Sequence, residues 1–169
     1  MSFLVTQEVF DQAVALVRPS IDALLAELGG GRRNLHIVVI EPSFHLYETT
    51  IAVDPKESWA HKYDEIARAK AELCHRTGQS SSYIVNEAPW ILEGGDARFA
   101  GGFVQDELAA AVSGLLSHLD EVISRWIWSA VAGICKDRMK EIQEDKNSPD
   151  ILPISEEQAD ATSNDAAAS

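Results

Sequence analysis

The chain reads as an α/β (α+β) protein with a mainly antiparallel sheet of about five strands flanked by helices. Three observations point there. Segments with the helical apolar period stand at both ends and in the middle of the sequence. Short runs rich in β-branched or small apolar residues lie between them. Those runs come in pairs joined by short turns, the connection that antiparallel neighbours use. With 169 residues, 46% hydrophobic and 24% charged, the chain has the size and composition of one ordinary globular domain.

The first helix starts near Thr6, whose hydroxyl can cap free backbone N–H groups, with Glu8 at the positive end. Val9, Ala13, Leu16, Val17, Ile21, Leu24, Leu25 and Leu28 carry its period. Pro19 removes a backbone donor and predicts a kink or a restart. The glycines at 29–31 end the helix, glycine accepting a left-handed cap. Residues 35–40 read as a buried strand, 41–43 as a turn, and 44–53 as the returning strand with one exposed face.

A second helix is expected after Asp54-Pro55, with a stripe of Trp59, Tyr63, Ile66, Ala67, Ala69, Lys70, Leu73 and Cys74, ending at Gly78. Residues 79–86 are polar, then apolar, and read as either strand or irregular turn. A loop closes at Gly94-Gly95. Residues 96–104 read as a strand broken at Gly101-Gly102, where a bulge or a close backbone approach is expected. After a turn at 105–107, the alanine-rich run 108–114 has weak β propensity and would pass for helix if read alone.

The last helix runs from about Ser117 or Leu119 to Gln143, with Leu119, Val122, Ile123, Trp126, Ile127, Ala130, Val131, Ile134 and Cys135 on one face. Trp128 lies off that face and reads either as a subunit contact or as a rim residue. The domain is thus placed at 1–143. Residues 144–169 lose the apolar period, carry six net negative charges and read as a disordered acidic tail.

The net charge of −13, with no Lys/Arg run, argues against nucleic acid and anionic membrane surfaces as partners. The N-terminus meets Glu8 and Asp11 before any long apolar run, so no signal peptide is expected there. No uncharged stretch is long enough to predict a membrane span. Cys74 and Cys135 fall in helical segments without metal-ligand spacing. They read as buried, reduced thiols, which fits a cytoplasmic location. No P-loop, dinucleotide fingerprint or hydrolase motif is present.

Three segments together resemble the GlcG/HbpS-like family, which includes haem-binding and haem-degrading proteins. Ile66-Ala67-Arg68-Ala69-Lys70-Ala71, with its helix end at Thr77-Gly78-Gln79-Ser80-Ser81, is similar to the family's A-x-A-K-A helix and turn. Gly94-Gly95, followed by a strand, a turn and Ala110-Ala111-Val112-Ser113-Gly114, resembles its G-G and G-V-S-G pattern. His118-Leu119-Asp120-Glu121 looks like its acidic helix start. The resemblance covers residues 58–135. It implies a profilin-like fold, a strand at 108–114, dimers or higher homo-oligomers, a small-molecule ligand, and haem as a candidate cofactor. Two departures stand out. Glu41-Pro42-Ser43 replaces the family's D-x-x-G turn, and Ala109 and Ala110 stand where glycines are common, bulk that would narrow a pocket.

The candidate ligand-binding residues are Trp59, His61, Lys70, Gly94, Gly95, Arg98 and Ser113. His61 ranks first as a haem or metal ligand, because it opens the family-like helix beside Lys62, a cation for a propionate or carboxylate. His36, His45, His75 and His118 rank below it. Lys70 sits among apolar neighbours. It reads either as a lysine that snorkels to the surface or as a cation facing a pocket. Ser113 reads as a ligand contact or a helix cap, and Arg98 as a guanidinium for a carboxylate. Gly94-Gly95 reads more simply as a tight turn. Asp120-Glu121 read as acids favouring a helix amino end. Function stays open between haem binding or breakdown, an enzyme or accessory protein for a small organic acid, and an oligomeric scaffold without ligand.

Overall fold

The computed structural model describes residues 5–143; the acidic segment 144–169 lies outside the described residues. The compact unit that carries the site ends at Lys136. Eight elements follow in order: α1 (Gln7–Leu28), β1 (Leu35–Ile40), β2 (Leu46–Ile51), α2 (Tyr63–Thr77), α3 (Ser81–Glu87), β3 (Gly102–Gln105), β4 (Leu108–Ser113) and α4 (Ser117–Gln143). The four strands form one sheet in the order β2-β1-β4-β3, every neighbour antiparallel. No helix among the described residues is long and apolar enough to cross a membrane.

Strand periodicity divides the core into two layers. Leu35, Ile37 and Val39 of β1, with Leu108, Ala110 and Val112 of β4, pack against α1 and α4. Phe10, Ile21, Ile123 and Ile127 are fully buried in that layer. Val38, Ile40, Ala109 and Ala111 face the other way, onto Ala67, Ala71 and Cys74 of α2. Small side chains thus meet small side chains, and α2 lies close on the sheet. This is why an alanine run serves as a strand. β4 pairs with β1 on one edge and β3 on the other, so its backbone is satisfied on both sides and tertiary pairing overrides propensity.

The structure corrects several expectations. Among the described residues there are four strands, not five. Residues 79–86 form no strand; Ser81–Glu87 is the helix α3, with the Ser80 hydroxyl accepting from the Tyr83 N–H at 3.4 Å. Only the end of 96–104 is strand. Asp96 is held outside the sheet, accepting from the Glu93 N–H and pairing with Arg76. The return strand is shorter than 44–53, since Phe44 has φ 67 and cannot continue the ladder. α1 passes through Pro19 without a restart. Ala15 and Pro19 are both exposed, so water can satisfy the carbonyl the proline leaves free. Gly29 caps α1 in the right-handed region, and positive φ appears one residue later, at Gly30. The second helix starts at Tyr63, so Trp59 and His61 sit in its lead-in rather than on its stripe.

A polar chain ties α2 to the sheet. The His36 ring meets Thr50 Oγ1 at 2.7 Å and Glu48 Oε2 at 3.1 Å, and Arg68 donates twice to Glu48, at 2.6 and 2.9 Å. The Arg68 guanidinium holds the Glu48 carboxyl below its ordinary range. The Lys56 ammonium does the same for Asp64. A carboxyl with a depressed folded-state pKa adds stability above its unfolded pKa, about 4.3 for Glu. That contribution is lost as pH falls through the lower folded value. Glu48→Gln is therefore expected to lower stability by about 1 kcal/mol at pH 7, the pair being part-exposed. It also flattens the acid limb of the profile, as read by urea unfolding between pH 7 and 3. A wild-type acid limb that Glu48→Gln leaves unchanged would contradict this.

Both cysteines are buried thiols outside any disulfide among the described residues. Trp128 is turned inward. Its indole N–H donates to the Gln105 carbonyl at 3.2 Å and its ring stands edge-on to Phe103. It covers β3, as a rim residue does.

Candidate functional site

The amino ends of α2 and α4 converge over the last residue of β4, and a pocket of about 290 Å³ opens between them. Lys70 and Asp120 form its floor. Lys70 projects from α2 toward the sheet and is only 1% exposed, so it does not snorkel. Its ammonium donates to the Val112 carbonyl and to Asp120 Oδ2, both at 2.9 Å. Asp120 stands in the first turn of α4, 2% exposed, and its Oδ1 accepts from the Leu115 N–H at 2.9 Å. Burial pushes the Lys70 ammonium down from its ordinary value and the Asp120 carboxyl up from its own. The attraction between the two charges opposes both shifts.

An ammonium carries three donors. Two are taken, by Val112 and Asp120, and Lys70 is among the residues that line the pocket. Ser113, 4% exposed, ends β4 on the same floor. Its position follows from the strand period, which puts it on the α2 side with Ala109 and Ala111. Ile66, Tyr63, Phe99, Leu115 and Leu116 make apolar walls. Arg32, from the loop before β1, and His61, from the lead-in to α2, stand at the exposed rim. Arg32 makes no ion pair among the described residues. The pocket therefore carries one excess positive charge, counting His61 neutral, in a chain of net charge −13.

Gly101 makes this floor buildable. It has φ 125, and a Cβ there would lie 2.7 Å from Asp120 Cβ and 2.8 Å from Lys70 Nζ. Its carbonyl accepts from the Ser124 hydroxyl at 2.7 Å, which fixes the loop against α4.

The seven residues expected from sequence divide among several places. Lys70, Ser113 and His61 meet in this pocket. His61 also borders a wider, open cleft of about 580 Å³, shared with Lys62, Ile66, Ala69, Gly95, Ala97, Arg98 and Phe99. Arg98 and Gly95 belong to that cleft and not to the pocket. Gly94 and Gly95 edge a third hollow, beside Phe44, His75 and Arg76. Trp59 lines none of these. Its indole N–H donates to the Asp54 carbonyl at 3.2 Å and its ring packs on Tyr63.

Asp120 is read from sequence only as a helix-end acid, and Arg32, Tyr63 and Phe99 are not singled out. A buried lysine demands a buried acid. Asp120 supplies it from fifty residues away, a pairing that only the fold brings together. No group of three His, Cys, Asp or Glu side chains that could hold a metal ion gathers among the described residues.

A four-stranded antiparallel sheet, with α1 and α4 on one face and α2 on the other, defines the class: the chain has the fold of the GlcG/HbpS-like proteins. Among solved structures it is similar to Klebsiella pneumoniae protein ORFY, of the DUF336 family, at 14% identity and TM-score 0.57, covering 76% of this chain and 90% of that one. It is similar to the Ybr137w protein at 16% identity and TM-score 0.54, covering 82% of each. It is also similar to a double mutant of Streptomyces reticuli HbpS at 19% identity and TM-score 0.53, covering 79% and 88%. At such identities the shared property is the fold. No family model and no curated protein matches the sequence.

Proposed function

We propose that the chain is a small-molecule-binding protein of the GlcG/HbpS-like type whose ligand occupies the pocket over Lys70 and Asp120. The observation that carries this reading is the convergence of Arg32, His61, Lys70, Ser113 and Asp120, from separate segments, around one apolar-walled recess. A concave site with apolar walls and a few convergent polar groups is the ordinary form of a ligand pocket. Its volume equals roughly ten water volumes, so the ligand has on the order of ten heavy atoms.

The test is thermal unfolding of the full chain against a panel of compact acids, amides and polyols. At least one class is expected to raise Tm with the logarithm of its concentration, reaching about 2.7 kcal/mol of stabilisation at a hundredfold excess over Kd. Ser113→Leu, which fills the floor, removes the shift. A flat response across the panel contradicts the reading and leaves an oligomeric scaffold.

Haem, which the family resemblance implies, has a second place. A porphyrin is too large for the recess, but the outer cleft holds an exposed imidazole, His61, between apolar Ile66, Ala97 and Phe99. Lys62 and Arg98 line the same cleft, together with Glu65 and Asp96; Lys62 pairs with Glu65 at 3.0 Å, so Arg98 is the cation offered to a propionate. These residues fit the group. Haem supplies redox and O₂ chemistry, while the chain would hold iron through His61 alone and orient the ring through its propionates. Haem titration is expected to give a Soret band distinct from free haem, weakened in His61→Ala. A spectrum identical to that of free haem removes this second reading.

A further inference from the structure

We infer that the pocket ligand is a compact carboxylic acid bearing a second oxygen function, its carboxylate outward at Arg32 and its oxygen inward on Lys70 and Ser113. The inference rests on the pocket reading above and specifies its chemistry.

The two ends of the pocket differ in what they can accept. At the floor, the Lys70 charge is already met by Asp120 Oδ2 at 2.9 Å. A second carboxylate placed there would face Asp120 across a few ångströms in a desolvated site, and like charges so placed repel strongly. What the floor suits is an uncharged acceptor at the Lys70 ammonium, with the Ser113 hydroxyl beside it. A ketone, hydroxyl or amide oxygen is of that kind. At the rim the situation is reversed. Arg32 is exposed and makes no ion pair among the described residues, and its planar guanidinium suits a carboxylate. Between the ends, Ile66, Phe99 and Leu116 offer only apolar contact, which suits a short hydrocarbon link. An acid with its charge at one end and a neutral oxygen toward the other matches Arg32 at the rim and Lys70 with Ser113 at the floor.

Three probes of nearly equal size separate the parts of this inference. 4-Oxopentanoate has both functions, pentanoate lacks the inner oxygen, and 4-oxopentanamide lacks the charge. Calorimetric titration of the full chain is expected to show 4-oxopentanoate binding at least tenfold tighter than either analogue, since each analogue leaves a donor of the site unmatched. Arg32→Ala, at an exposed position that does not endanger folding, erases the preference over the amide and keeps the preference over pentanoate. Ser113→Ala has the converse effect and weakens the preference over pentanoate. Equal binding of acid and amide overturns the outward carboxylate, and equal binding of 4-oxopentanoate and pentanoate overturns the inward oxygen. If none of the three binds while another class in the wider panel does, this inference fails and the pocket reading stands. If the whole panel is flat, both fall.

Discussion

Asp120→Ala is expected to destabilise the folded chain by about 3–5 kcal/mol, because it leaves the Lys70 ammonium buried without its counter-charge. The pair is nearly buried, with Lys70 1% and Asp120 2% exposed, so the ammonium is left in a poorly hydrated site without its counter-charge. Its backbone acceptor, the Val112 carbonyl, is neutral. The Leu115 N–H also loses its acceptor at the start of α4. The same geometry predicts that removing both charges costs far less. Burial disfavours each charged form, as the directions of both titration shifts show. A buried pair is therefore a weak source of net stability, and an apolar replacement of similar volume is often neutral or better. The double variant Lys70→Met, Asp120→Leu is expected to recover most of the loss in urea unfolding, while binding no pocket ligand. A double variant as unstable as Asp120→Ala would show that the pair is held for stability rather than for its place in the pocket.

Gly101→Ala is expected to cost about 2–5 kcal/mol, combining backbone strain with overpacking. The added Cβ would meet Asp120 Cβ at 2.7 Å, Lys70 Nζ at 2.8 Å and the Val112 carbonyl oxygen at 3.3 Å, at φ 125. The ammonium can retreat only into the pocket or out of its two hydrogen bonds, so ligand affinity falls with stability. Gly133→Ala is the control. It lies within α4 with nothing within 4 Å of the new Cβ, and alanine is the better helix former by about 1 kcal/mol. Thermal melts should move in opposite directions for the two substitutions. Melts that move together would contradict the packing account of Gly101.

These two substitutions also mark where sequence reading succeeds and stops. Helix periodicity found α1, α2 and α4 because each buries one stripe, and Thr6 caps α1 through the Val9 N–H as its hydroxyl suggests. The strand at Leu108–Ser113 was legible only through the flanking glycines and the family resemblance, since alanine propensity points to helix while the β1 and β3 ladders decide. The segment 96–100 misled because its Ala and Phe look strand-like, whereas Asp96 is engaged by Arg76 and by the Glu93 N–H. α3 was missed because seven residues are too few to show a helical period. For the site, Lys70 was visible as a charge on an apolar stripe, but its partner lies fifty residues away and only the fold brings the two together. Arg32 carries no local signal at all. It reaches the pocket from a loop whose course depends on how α1 meets β1.

Whether the recess over Lys70 and Asp120 receives the ligand is read most directly by amide chemical-shift mapping by NMR, with the best stabiliser found in the panel. The expected result is a set of saturable shifts confined to Arg32, Tyr63, Ser113 to Ser117 and Asp120, with Glu72, Arg76 and Gly94 unmoved. Shifts centred on the hollow around Phe44, His75 and Gly94, or scattered over the surface, would contradict it.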